Sequence, residues 1–131
     1  MKKTLIIALS VVMISPIFAD GPLGDAMSEM NSHLKSIRKA ESFEAKAEAV
    51  RSAQAELLKC LDLVPSETKA VKDTAERTKL IAEYKQMIAQ NFALLCEYEL
   101  AFLAEDEAKS KEIYTKLREI KKAGHDKYYT E

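Results

Sequence analysis

Apolar residues recur along this chain at spacings of three and four, and the rhythm resolves into four amphipathic segments. The first runs from about residue 22 to 39 and places Met27, Met30, Leu34 and Ile37 on one helical face. The second spans about 42 to 63, with Phe43, Ala47, Val50, Gln54, Leu57 and Leu61 in register behind Ser42, a residue suited to an N-cap. The third is the longest, from about Thr74 to near Ala104, and carries Ile81, Tyr84, Ile88, Asn91, Leu95, Tyr98 and Phe102. Asp106 is placed to cap the fourth, in which Ile113, Leu117, Ile120 and Tyr128 continue the stripe.

The joins near Glu41 and Glu105 are short, which favours antiparallel neighbours. The middle join, "DLVPSETKAVKDTAERTK", holds Pro65 and a polar run that reads as helical or partly irregular. No stretch alternates with a period of two, so no strand is expected. The fold class that follows is all-α, an antiparallel up-down-up-down four-helix bundle.

Composition removes one segment from that picture. Lys2 and Lys3 precede an uncharged apolar run from Leu5 to Ile14, with Pro16 and Ala19 beyond it. Residues 1–19 therefore read as a secretory signal peptide, too short to span a bilayer, which needs about 20 apolar residues. The mature chain, 20–131, is then expected in the periplasm with no membrane span. Without Lys2 and Lys3, 18 basic residues face 21 acids, a net charge near −3. The basic residues are interspersed with acids, so neither a nucleic-acid footprint nor a membrane-binding face is expected.

Export raises the question of a Cys60–Cys96 disulfide. Folding back at residues 66 to 70 would set Cys60 opposite residues near 76, leaving Cys96 roughly 30 Å away at 1.5 Å per residue. A disulfide needs Cα atoms within about 7 Å, so two free thiols are expected, with a link between chains left open. Neither cysteine belongs to a Cys-x-x-Cys pair, and there is no phosphate loop or nucleophile elbow.

The remaining chemistry lies in two histidines. His33, between Ser32 and Leu34, reads as a solvated surface residue. His125 stands near the C-terminus, where a cation suits a helix end. In an up-down-up-down bundle, however, the start of the first helix and the end of the fourth share one end. Met27 or Met30 and His125 would then sit at similar depth across an apolar cleft. Leu57 and Leu61 would come from the second helix and Leu80, Ile81, Tyr84 and Ile88 from the third. A thioether and an imidazole so placed can be axial ligands of a haem iron. Spacing alone does not choose between the two methionines.

The stretch "DAMSEMNSHLKSIRKAES" and the ending "KKAGHDKYY" resemble the first and last helices of the cytochrome b562 family. That family is a well-known instance of the same bundle topology. The resemblance covers helix order across the mature chain and is specific at its two ends. It selects Met27 as the methionine ligand, with Asp25, Asn31 and Leu34 in matching places, and makes Met30 an apolar haem contact. It makes His125, three residues before Tyr128, the second ligand. Two residues depart from the pattern. Gly124 replaces a bulky residue, loosening the helix beside His125 by about 1 kcal/mol relative to alanine. Tyr129 replaces a basic residue that could pair with a haem propionate.

The resemblance implies a non-enzymatic electron carrier with one non-covalent haem b per monomeric chain. Two strong protein ligands leave no open coordination position, and a Met/His pair implies a relatively high reduction potential. The redox partner is not legible in the sequence. A rival from another class is a haem-free helical bundle with a structural or chaperone-like role, its methionines serving as core packing. A weaker third reading is a transition-metal site using His33, His125 and acids.

Overall fold

The computed structural model describes residues 21–128, with side-chain surroundings through Ile120. The segment read as a signal peptide, residues 1–19, lies outside the described residues. All regular structure in the described part is helical: α1 (Gly21–Ser36), α2 (Phe43–Lys59), α3 (Ser66–Lys69), α4 (Thr74–Leu103) and α5 (Glu107–Tyr128). Four of these are long, as the periodicity predicts, and α3 is a single turn in the middle join. Short 3₁₀ turns, Ile37–Lys39 and Cys60–Asp62, extend α1 and α2. Among the described residues no helix is long and apolar enough to cross a membrane.

Local chemistry sets the helix starts. The Ser42 hydroxyl accepts from the Ala45 amide at 3.0 Å, and the Asp73 carboxylate accepts from the Glu76 amide at 3.0 Å. The Asp106 carboxylate accepts from the Lys109 amide, also at 3.0 Å. Each meets one backbone donor that the helix itself cannot satisfy. The α4–α5 turn is equally local. The Asp106 amide donates to Ala101 at 2.9 Å and the Glu105 amide to Phe102 at 3.0 Å, a Schellman arrangement. Its pivot, Glu105, has φ 53°, a left-handed conformation normally left to glycine.

The core runs along α4. Tyr84, Ile88, Asn91, Leu95, Tyr98 and Phe102 are buried at alternating spacings of four and three, as expected. Ile81, expected on the same stripe, is only half-buried, because the stripe's packing begins one turn later. On α2 the buried positions are Ala47, Val50, Ala53 and Leu57. Phe43 and Leu61 are half-buried against this core. Gln54 sits at its edge, with Nε2 donating to the Leu95 carbonyl at 3.2 Å and to Glu99 Oε1 at 2.9 Å. Side chains of α1, α2, α4 and α5 share one cluster, completed by Met27, Met30, Ile113 and Leu117.

Cross-helix bonds set the α2–α4 register. Arg51 meets Glu99 at 3.1 Å, and the Tyr84 hydroxyl donates to the Cys60 carbonyl at 2.7 Å. Partner numbers on α4 fall as those on α2 rise, so these helices are antiparallel. Cys60 lies level with Tyr84, not with residue 76 as the sequence suggests. The reason is the middle join: Leu63–Pro65, α3 and the residues before Thr74 do not fold back symmetrically. The first turns of α4 therefore project past the end of α2. Both cysteines are nevertheless free.

Replacing Glu105 by glycine removes the left-handed strain while keeping both turn hydrogen bonds. Glu105→Gly is expected to stabilise the protein by about 1 kcal/mol, raising the thermal midpoint by about 4 °C. An unchanged or lower midpoint in a calorimetric scan would count against this account of the turn.

Candidate functional site

The residues expected around a haem come from four helices and are only partly gathered. Met27 and Met30, three residues apart on α1, are 0% and 1% exposed. That spacing turns both thioethers into the core, where α1 packs against α2 and the Cys60–Asp62 turn. Leu57, Tyr84 and Ile88 belong to the same buried cluster, and Leu61 packs against it half-buried. Leu80 and Ile81 are half-buried near the start of α4, away from the main cluster. His125 lies within α5, but its side chain is outside the described residues, as is that of Gly124.

The level of position 125 can be compared with that of Met27 through one cross-helix contact. Arg38, in the turn closing α1, reaches Tyr114 of α5, its guanidinium 3.5 Å from the phenol oxygen. Met27 lies eleven residues before Arg38, and His125 lies eleven residues after Tyr114. At 1.5 Å per residue each is about 16 Å from that contact along its own helix. If α1 and α5 run antiparallel, Met27 and position 125 are at one level.

Tyr84 has a role that the sequence does not reveal. Its hydroxyl has one proton, directed to Cys60 at 2.7 Å, with the Leu63 carbonyl a second acceptor at 3.1 Å. This bond ties the end of α2 to α4. Burial pushes the tyrosine hydroxyl well above its ordinary range, and the Cys60 side chain adds to the rise. Burial likewise pushes the Cys60 thiol up to about 11, with Glu56 adding and Lys59 opposing. Cys60 is therefore a neutral, inert thiol at physiological pH.

Asn91 is the other residue whose part was not apparent. It sits in the apolar stripe with Nδ2 donating to the Met87 carbonyl at 3.0 Å. Its Oδ1 is buried without a partner among the described residues. His33 is partly exposed, its Nε2 3.9 Å from Glu29 one turn back, in keeping with a surface residue. Among the described residues no three His, Cys, Asp or Glu side chains gather as a metal site.

Of the two donors that the family resemblance implies, Met27 is the one whose surroundings are described. Met27 supplies a soft thioether shielded from water, and the buried polar residues described in the protein, Thr68, Asn91 and Ser110, are all uncharged. A low-spin haem with a methionine ligand asks for such a donor in apolar surroundings. No family model, curated protein or solved structure matches the chain.

The raised Tyr84 and Cys60 groups give stability a defined pH dependence. Unfolded, the thiol and phenol lose protons near pH 9 and 10; folded, both hold them to higher pH. Their contribution is thus complete below about pH 9 and is lost as pH rises, by up to about 1.4 kcal/mol per pH unit per group. Urea midpoints are expected to fall between about pH 9 and 12. Tyr84→Phe should lower the unfolding free energy at neutral pH by about 1 kcal/mol and make the alkaline fall shallower. An identical alkaline slope in this variant would remove Tyr84 as its source.

Proposed function

We propose that this protein is a periplasmic electron carrier folded as an up-down-up-down four-helix bundle. In this reading Met27 and His125 hold one non-covalent haem b. The observation that carries it is the equal run of eleven residues from the Arg38–Tyr114 contact to Met27 and to His125. The antiparallel α2–α4 pair and the tight α4–α5 turn support the same topology.

Reversible one-electron exchange at iron is the chemistry such a haem supplies when bound. Met27 contributes a sulfur lone pair and His125 a neutral imidazole nitrogen. Leu57 and Ile88 keep water from the Met27 end, and Leu61, Leu80 and Ile81 form the more open part of the wall. Tyr84 contributes its ring, because its hydroxyl is committed to the Cys60 carbonyl and is not offered to the metal. Lys121 and Gly124 stand where covalent attachment would require cysteines, so the group is held by coordination and packing alone.

The complete burial of both methionines favours one competing reading, a haem-free bundle in which they are core packing. Titration of the purified protein with haemin, followed by optical absorption, separates the two. The expected result is a low-spin spectrum at one haem per chain. His125→Ala and Met27→Leu should each lose that spectrum or weaken binding at least about tenfold, whereas Met30→Leu should retain it. Leucine is used because alanine at a buried methionine costs about 2–5 kcal/mol by itself. Loss with Met30→Leu and retention with Met27→Leu would reassign the ligand. Absence of a low-spin complex in the unaltered protein would leave the haem-free bundle.

A further inference from the structure

At the other end of α1 a groove of about 480 Å³ opens between that helix and α5. This is the size of a small-molecule pocket. Its walls are apolar, with Leu34 and Ile37 on one side and Leu117 on the other, and Tyr98 and Tyr114 also line it. The Tyr98 ring is held in place by Phe102, 4.7 Å away between centroids.

The charge around this groove has one sign. Lys35, Arg38 and Lys39 line it from the α1 side and Arg118 from α5, while no carboxylate lines it. The nearest acids on α5 are engaged or turned elsewhere: Glu112 pairs with Lys109 and Lys116, and Glu119 lines a separate groove facing α4. Basic residues at the end of α1 also suit its helix dipole, but Arg118 lies well inside α5 and has no such reason to be there. Its guanidinium carbon is 6.0 Å from the Tyr114 ring centroid, so the ring helps hold the cation at the groove's edge.

A hydroxyl also borders the groove. Tyr98, 6% exposed as a residue, is among its lining side chains. Burial, with Tyr114 adding, pushes this phenol up to about 12, so at neutral pH it stays protonated and can donate. A hydroxyl donor, an apolar slot and a cationic rim together call for a ligand with a flat apolar body and an anionic end.

We propose that this groove binds a small aromatic carboxylate. The ring lies between Leu34 and Leu117, and the carboxylate is held by Arg38 and Arg118 with a hydrogen bond from Tyr98. Neither Met27 nor Met30 lines this groove, whose cations lie toward the far end of α1, with Arg38 about 16 Å from Met27 along the helix. It can therefore be tested on protein with no haem added.

The probe is 1-naphthoate, followed by isothermal titration calorimetry against the full chain. Saturable binding at one site per chain is expected. The uncharged 1-naphthamide should bind at least about tenfold more weakly, since it cannot make charge-assisted bonds to the guanidinium groups. The double variant R38Q/R118Q should lose at least about tenfold and Tyr98→Phe about fivefold, with circular dichroism and thermal midpoint confirming that each folds. Inorganic phosphate should not displace the probe at equal concentration. Failure to saturate, equal affinity for the amide, equal affinity in folded R38Q/R118Q, or displacement by phosphate would each overturn the proposal.

Discussion

The close approach of α2 to its neighbours is the constraint on which the rest of this structure depends. Its fully buried face is made of Ala47, Val50, Ala53 and Leu57, three of them small. Small side chains let α1 and α4 pack against α2 with little space between backbones. The larger residues needed to fill the core therefore come from the partners: Met27 and Met30 from α1, and Tyr84, Ile88, Leu95 and Tyr98 from α4. An enlarged alanine on α2 would displace both neighbours at once, shifting α1 relative to the rest of the bundle.

That arrangement gives the two ends of the molecule different characters. At one end the thioethers are enclosed by aliphatic side chains and the Tyr84–Cys60 bond fixes the helix ends. At the other, α1 and α5 part around Tyr98 and Tyr114, and cations gather at the opening. Under the proposed function, the first end would receive the apolar ring of a haem. The second suits a solute that keeps its charge exposed to the rim. A four-helix scaffold can hold both because its helices touch along their length but need not touch equally at each level.

What the sequence makes legible is what local chemistry decides. Ser42 and Asp106 are readable because a capping side chain acts within three residues of itself. The alternating stripe on α4 is readable because burial on one side of a long helix leaves a period. The Cys60–Tyr84 level is not, because it depends on the path of the middle join, and α3 carries no periodic signal in four residues. Ile81 and Leu80 look like core residues in one dimension and turn out half-buried, since periodicity locates a face without saying how far along it packing extends. The methionines were visible as candidates and the eleven-residue match that relates Met27 to position 125 was not. That match requires the Arg38–Tyr114 contact, between residues far apart in sequence. The cationic groove was invisible for the same reason, its basic residues being divided between positions 35–39 and 118.

Two free thiols add a matter of timing. Cys60 is protected by being fully buried and by a proton it does not readily release, whereas half-buried Cys96 has Glu97 and Glu99 beside it. Burial and Glu99 raise the Cys96 thiol as well, keeping its thiolate fraction low. None of this protection exists in the unfolded chain, where both sulfurs behave as ordinary thiols. In an oxidising compartment the molecule must therefore close α2 onto α4 before an oxidant captures Cys60. In the folded protein the Tyr84 hydroxyl bonds the carbonyl of Cys60 itself, so one residue both fixes a helix end and carries the shielded sulfur.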